Sequence, residues 1–135
     1  MTRALGIDYG DSRIGLSLSD PMRIIAKPYK TIKNSSETIS EIREIAKEND
    51  VGHLVVGYPV NMKGEKTIQT KKVDEFIDTL EKSFDFKVTK IDERLSSTSA
   101  IQSLVKQGIK TGHNKSKIDD TSAAIILQEF LDMGA

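Results

Sequence analysis

The sequence contains no cysteine, no long uncharged apolar run and no excess of either charge. Without cysteine, a disulfide framework, a thiolate zinc site and a cysteine nucleophile are excluded. No stretch approaches the roughly 18 uncharged apolar residues of a membrane-spanning helix, and the amino terminus lacks a signal-peptide core. We therefore expect a cytoplasmic protein that does not enter a membrane.

Acidic residues are absent from two segments, although 20 acidic and 20 basic residues balance over the whole chain. These acid-free segments are Pro21–Ser36 and Arg94–Ile118. Their basic residues are Arg23, Lys27, Lys30, Lys33, Arg94, Lys106, Lys110, Lys115 and Lys117. Either the segments are two solvated loops, or the fold brings them together as one positive surface.

The hydrophobic pattern predicts a single domain, residues 1–135, of the α/β class. Apolar residues alternate with small or polar ones as in half-buried strands at 3–9, 14–18 and 24–32. Helices then alternate with strands: a helix capped by Asn34 or Ser35, a strand at 53–57, a helix at 66–83, a strand at 86–93, a helix capped by Ser96 or Ser97, and a helix at 117–133. One mixed five-stranded sheet flanked by helices accommodates this order.

Acidic residues occur where ligands bind such sheets, outside the carboxyl ends of the strands. Asp8 ends the first strand between two glycines, and Asp92 and Glu93 end the last. Because neighbouring strand residues face opposite sides, at most one of Asp92 and Glu93 shares a site with Asp8, and Glu93 is our choice. Asp119 and Asp120 fall near the apolar stripe of the last helix, where an unpaired charge is costly.

Each acid also has a purely structural interpretation. Asp8 fits a turn aspartate that bonds its own backbone, and an acid in the first turn of the last helix is favoured by the helix dipole. Of the two histidines, His53 opens a buried strand and is interpreted as structural. His113 lies in the basic loop at 108–116, where substrate binding is an alternative role.

An acid on the first strand, an acid ending a later strand and an acid beginning the last helix match the ribonuclease H-like fold. The sequence resembles the YqgF (RuvX) family over nearly its whole length. The segments that carry the resemblance are Leu5-Gly-Ile-Asp-Tyr-Gly, Arg13-Ile-Gly-Leu, Val55-Val-Gly-Tyr-Pro, Asn61-Met-Lys-Gly, Asp92-Glu-Arg-Leu-Ser-Ser and Lys117-Ile-Asp-Asp-Thr-Ser-Ala-Ala-Ile-Ile-Leu.

The resemblance implies that Asp8, Glu93 and Asp119 form the acidic active centre, with Asp120 ranked below Asp119. An all-oxygen ligand set and the absence of cysteine favour Mg²⁺ or Mn²⁺. Basic residues are expected to contact substrate phosphates. They are Arg13, Arg94, Lys110, Lys115 and Lys117.

We therefore expect a metal-dependent nuclease, a monomer or weak homodimer, that processes the 5′ end of pre-16S rRNA. Two alternatives stay open: a Holliday junction resolvase acting on branched DNA, and a non-catalytic RNA-binding ribosome assembly factor. An actin-like or sugar-kinase ATPase also begins with Asp-x-Gly after a strand. That class needs a second nucleotide-binding half, for which 135 residues do not suffice.

Overall fold

A computed structural model describes residues 2–93 and 115–134, with side chains from residue 121 onward in the second range. The strands are β1 (Arg3–Tyr9), β2 (Arg13–Ser19), β3 (Ala26–Lys33), β4 (Val51–Tyr58) and β5 (Lys87–Asp92). The described helices are α1 (Thr38–Glu48), α2 (Ile68–Ser83) and α3 (Lys115–Asp132). The helix expected after Ser96 or Ser97 lies outside the described residues.

The five strands form one mixed sheet in the order β3-β2-β1-β4-β5. The first three strands are an antiparallel meander, in which Asp8 pairs with Gly15 and Gly15 with Thr31. β4 and β5 continue the sheet in parallel with β1, and Gly57 pairs with Ile91. The predicted mixed five-stranded architecture is therefore confirmed, and the carboxyl ends of β1, β4 and β5 share one edge of the sheet.

Each face of the sheet is covered by a different set of helices. On one face, leucine, isoleucine and valine side chains from all five strands, including Val88 of β5, pack with the buried residues of α1 and α2. On the other face, α3 supplies Ile126, Leu127, Phe130 and Leu131 to a smaller cluster with Ala4, Val55 and Ile91. None of the helices in the described ranges has the length and apolar character needed to cross a membrane.

Strand β3 begins two residues later than the sequence predicts, at Ala26 rather than Ile24. The Asp20 carboxylate causes this difference. It accepts hydrogen bonds from the backbone N–H groups of Met22, Ile24 and Ile25 at 3.2, 2.7 and 2.8 Å. Because the carboxylate holds these residues in a turn, they do not join the β-ladder.

The sequence predicts that Asn34 or Ser35 caps helix α1, and this prediction is wrong. The N-cap position of the helix is Glu37, whose side chain makes no capping hydrogen bond. Asn34 instead donates from Nδ2 to the Gly10 carbonyl at 2.8 Å, which ties this turn to the end of β1. The remaining helix boundaries differ from expectation by no more than two residues, and α2 begins with a capping box formed by Thr67 and Thr70.

Candidate active site

Asp8 lies on the α3 face of the sheet, at its carboxyl edge. Gly6, two residues earlier, faces α3, because a Cβ atom built on it would lie 2.8 Å from both the Ala123 carbonyl oxygen and Leu127 Cβ. Strand side chains alternate between faces, so Asp8 points to the same side as Gly6. Asp8 is half-buried and pairs with Gly15, which, like Gly6, has no side chain.

Glu93, rather than Asp92, shares this face. Ile91 belongs to the α3 cluster, so alternation places Glu93 on the α3 side and Asp92 on the opposite side. The contact with β4 is direct: Glu93 Oε1 lies 2.7 Å from where a Cβ on Gly57 would stand. Gly57 is buried, and its missing side chain leaves the space that the Glu93 side chain occupies.

The two carboxylates therefore lie on the same face of the sheet, on either side of β4. Ile7 pairs with Val56, and continuing this parallel register places Asp8 beside Gly57. Since Glu93 reaches over Gly57, its carboxylate lies roughly one strand spacing, about 4.8 Å, from β1. Two carboxylates about 4.8 Å apart would repel by roughly 3.5 kcal/mol at an effective dielectric of 20, and a bound cation would offset this repulsion.

Helix α3 begins at the same edge of the sheet. Phe130, near its end, packs on His53 with ring centroids 4.7 Å apart, and His53 pairs with Ala4 at the start of β1. Ala123, nearer the start, accepts a 2.8 Å hydrogen bond at its carbonyl from Ser17 Oγ. The helix therefore runs antiparallel to β1. The backbone of Asp119 lies in the helical turn before Ala123, toward the edge of the sheet that holds Asp8 and Glu93. The structure does not describe its side chain.

Across residues 2–93 and the side chains of 121–134, no three carboxylate or histidine side chains are grouped closely enough to hold a metal ion. Asp8 and Glu93 form a pair rather than a complete cage.

Basic side chains flank the carboxylate pair on the β2 side. Ile14 and Ile32 belong to the opposite core, so their neighbours Arg13 and Lys33, which pair across β2 and β3, face the α3 side. Arg94 and Lys110 lie outside the described residues. Lys115 and Lys117 belong to the first turn of α3, without a description of their side chains.

A rigid loop between β4 and α2 was not assigned a role from the sequence. Asn61 organises it: Oδ1 accepts the backbone N–H groups of Lys63 and Glu65 at 3.0 and 2.9 Å, and its own N–H donates to the Glu65 carbonyl at 3.0 Å. Gly64 permits the turn because its φ is 81°. The loop projects beyond the carboxyl end of β4. The only sequence signal for it was Asn61 followed by glycine three residues later.

The base of this loop is tied to α2 through polar side chains. Lys66 Nζ donates to Asp74 Oδ2 at 3.2 Å. This hydrogen bond, followed by the interaction with Tyr58, raises the pKa of Lys66 above its usual value. Lys90 Nζ stands 4.7 Å from the centroid of the Tyr58 ring. This cluster holds the loop in place on the face opposite Asp8.

His53 is structural, as its position in a buried strand predicted. It is buried, its ring packs on Phe130, and its Nε2 atom hydrogen-bonds with Thr89 Oγ1 at 2.8 Å. Burial first, and then the positive charges of Arg23 and Lys87, lower its pKa below the usual value. His53 lies far from the carboxyl edge and cannot assist chemistry there.

Sequence comparison identifies close relatives of this chain. A protein from Ruminiclostridium cellulolyticum is 41% identical over 96% of this chain and 94% of its own length. One from Endomicrobium trichonymphae is 40% identical over 98% and 97%. Both carry the name "Putative pre-16S rRNA nuclease".

Solved structures share the fold at low sequence identity. RuvC of T. thermophilus, in complex with a Holliday junction substrate, aligns over 100% of this chain and 97% of its own with a TM-score of 0.58 and 12% identity. A fowlpox virus resolvase in complex with Holliday junction DNA aligns over 98% of each chain with a TM-score of 0.59 and 10% identity. The fold is therefore ribonuclease H-like.

A family model described as "RuvX: Holliday junction resolvase" matches residues 2–133, which is almost the entire chain. The matched range includes every element described above. This protein belongs to the RuvX family.

Proposed function

We propose that this protein is a nuclease that hydrolyses phosphodiester bonds of pre-16S rRNA, processing its 5′ end in the cytoplasm. The observation that carries this proposal is the Glu93 side chain over Gly57, the residue that the strand register places beside Asp8. The names of relatives at 40–41% identity support the substrate. We further propose that residues 1–135 act as one domain, as a monomer or weak homodimer.

The carboxylate pair fits a divalent cation, Mg²⁺ or Mn²⁺. Both ligands are hard oxygen donors, and Gly57 leaves open the space into which Glu93 reaches. Asp8, Glu93 and Asp119 would hold the ion, with Asp119 supplied by the turn of α3 that precedes Ala123. When bound, such an ion activates the attacking water and offsets charge on the phosphoryl group.

The other residues of the site orient the substrate. Arg13 and Lys33 flank the carboxylates, where they can bind phosphates without reading bases. Arg94, Lys110, Lys115 and Lys117 are proposed to extend this contact, because all four belong to the second acid-free segment. Asp92 faces the other side of the sheet and has no place in this mechanism.

Cleavage of branched DNA is the second candidate, favoured by the description of the family model and by the Holliday junction complexes of the structural neighbours. A four-way junction is cut by paired nicks, which requires two active sites and hence a dimer. The same carboxylates serve either substrate, so the two candidates differ in the nucleic acid bound and not in the chemistry.

The test compares Asp8→Asn with the matched control Asp92→Asn. Each protein is assayed with Mg²⁺ or Mn²⁺ on a pre-16S rRNA 5′-end substrate and on a four-way DNA junction. We expect Asp8→Asn to lose more than about a hundredfold in cleavage rate, because metal-ion stabilisation is worth several kcal/mol. Asp92→Asn, on the opposite face, should cleave at close to the wild-type rate.

The metal-free free energy of unfolding distinguishes a catalytic role from a structural one. Asp8→Asn should leave it unchanged or raise it, because the substitution relieves repulsion from Glu93. Marked destabilisation would instead assign Asp8 to the turn. Binding of the RNA without cleavage under all metal conditions would support the assembly-factor alternative, and cleavage of the junction alone would support the resolvase.

A further inference from the structure

A hollow of about 410 Å³ lies at the end of the sheet opposite the carboxylates. Leu18 of β2 lines it, together with Arg3 of β1 and Tyr29 of β3. Leu18 packs against the core beneath α1 and α2, so the hollow is on that face of the sheet. The described helices on this face contact mainly β4 and β5, so none of them extensively covers this corner of β1, β2 and β3.

The rim of the hollow is apolar and exposed. Ile25 and Tyr29 line it while remaining 54% and 37% exposed. Single exposed apolar residues are ordinary on protein surfaces, but exposed apolar residues that line one concavity indicate a binding surface.

The charge around the hollow is positive. Arg3 and Lys27 line it, and Lys30 Nζ lies 5.8 Å from the centroid of the Tyr29 ring. Asp20 is the only acid in the lining, and three backbone N–H groups hold its carboxylate. An aromatic ring beside an apolar hollow, with lysines on either side, is the arrangement with which proteins bind the bases and phosphates of single strands.

The edge strand itself argues against pairing with a second protein strand. Pro28 cannot donate a backbone hydrogen bond from the middle of β3, and lysines stand on both sides of it. Proline and lysine on an edge strand are features that prevent edge-to-edge association. The open corner therefore suits a polyanion better than another copy of this chain.

We propose that this hollow binds a base of a single-stranded RNA segment, with Tyr29 stacking on the base and Lys27 and Lys30 contacting the flanking phosphates. The inference rests on the proposed nuclease function, because it makes the hollow a second anchor for the same substrate. Arg3 and Asp8 are five residues apart on β1, or about 17 Å at the rise of a strand. The hollow and Asp8 lie on opposite faces, so the RNA must also pass round the edge of the sheet. Since a stacked strand advances about 3.4 Å per nucleotide, at least about five nucleotides separate the two sites.

The length of the single strand provides the test. RNA binding is measured in the Asp8→Asn background, which keeps the RNA intact. The RNA carries an unpaired tail of about two or about eight nucleotides, one below and one above the separation of about five nucleotides estimated from the strand rise. The longer tail should bind more tightly. Tyr29→Ala should weaken binding of the longer tail about tenfold, as expected for loss of one base stack, and leave the shorter tail unaffected. Tyr29→Phe, which keeps the ring, should retain tight binding.

The lysines are tested by the salt dependence of the same binding. Replacing Lys27 and Lys30 by glutamine should reduce the slope of log affinity against log salt by about 1.4, since each phosphate contact on a single strand contributes about 0.7. The matched control replaces Lys47 and Lys71, exposed lysines on α1 and α2, and should leave the slope unchanged.

Failure of this proposal is distinguishable from failure of the proposed nuclease. If wild-type protein cleaves RNA but Tyr29→Ala binds both tails as its parent does, the hollow is not an RNA site and the nuclease stands. If nothing is cleaved but tail-dependent binding requires Tyr29, the hollow stands alone. Sedimentation that shows an RNA-independent dimer lost in Tyr29→Ala would assign the hollow to self-association and overturn the proposal.

Discussion

The two faces of the sheet bury residues of very different size. Under α1 and α2, the sheet presents Leu5, Ile7, Ile14, Leu16, Leu54 and Val56. Under α3, much of the sheet is glycine, alanine and serine: Ala4, Gly6, Gly15, Ser17, Ser19 and Gly57. The first face is a thick aliphatic layer, whereas on the second a helix lies close to the strand backbones.

This difference indicates that the two faces have different roles, one in stabilising the sheet and the other in positioning α3. Burial of large aliphatic side chains supplies most of the hydrophobic stabilisation of a domain. Small residues supply less, but they fix a short distance, and here that distance brings the start of α3 to the edge that holds Asp8 and Glu93. The α1 and α2 face therefore mainly stabilises the sheet, while the α3 face positions the site.

Gly6→Ala should break the placement of α3 and have the largest effect on folding. The added Cβ would overlap Ser17 Oγ and lie 2.8 Å from the Ala123 carbonyl oxygen, a backbone atom that can move only with the helix. Overpacking of this kind costs about 3 kcal/mol. We expect a loss of that size in the free energy of unfolding, measured by urea denaturation.

Gly52→Ala is the matched control, because it adds the same methyl group to a β-strand. The nearest atoms to its Cβ would belong to the side chain of Thr2, an exposed residue before β1 whose hydroxyl accepts a hydrogen bond from Arg23. Thr2 can shift without moving a helix, so the free energy of unfolding should fall by about 1 kcal/mol or less. Equal stability of the two variants would show that α3 does not rest on Gly6, and the comparison of the faces would lose its basis.

Gly57→Ala should instead affect activity and spare the fold. Its Cβ would lie 2.6 Å from Ile126 Cδ1 and 2.7 Å from Glu93 Oε1, both of them side-chain ends that can shift. Stability should therefore fall less than in Gly6→Ala. The Glu93 carboxylate must move, and a displacement of about 1 Å in an active site costs up to about a hundredfold in rate.

The rate loss in Gly57→Ala is measured on the substrate that wild-type protein cleaves, with urea denaturation in parallel. Combining Gly57→Ala with Glu93→Gln identifies the cause. If the glycine acts by leaving room for Glu93, the double variant should cleave no more slowly than Glu93→Gln alone. Full activity of Gly57→Ala would mean that the position of Glu93 is not critical.

The sheet could be predicted from the sequence because its signals are local. Alternation of Ile14, Leu16 and Leu18 with small residues revealed β2, and acids after strands marked the carboxyl edge. The start of β3 could not be predicted in this way. Ile24 and Ile25 have the apolar character of strand residues, but hydrogen bonds to the Asp20 carboxylate remove them from the ladder.

The site was predictable in kind but not in geometry. Sequence alternation shows that Asp92 and Glu93 face opposite sides, but only the pairing of Gly57 with Ile91 determines which side each one faces. The space above Gly57 is likewise visible only when β5 is placed beside β4. The alignment of Ala123, Ile126 and Phe130 on one face of the last helix was correct, since all three are buried against the sheet.

His53→Gln should have the smallest effect of these substitutions, and the effect should depend on pH. His53 places a titratable group beneath α3, whereas the core beneath α1 and α2 is aliphatic. Its pKa is lowered in the folded protein, chiefly by burial, so the unfolded chain binds the proton more tightly. Its contribution to stability is therefore complete above the unfolded pKa of about 6.5 and is lost as pH falls from there through the folded pKa.

This contribution is isolated by urea denaturation of wild type and His53→Gln between pH 7.5 and pH 5. The lower end is about one and a half units below the unfolded pKa. Wild type should lose more stability than the variant over that range, because glutamine keeps a polar side chain there but does not titrate. Other groups titrate alike in both proteins and cancel in the difference. Parallel curves would mean that His53 is protonated as readily in the folded protein as in the unfolded one, and that the α3 face is no more sensitive to pH than the aliphatic face.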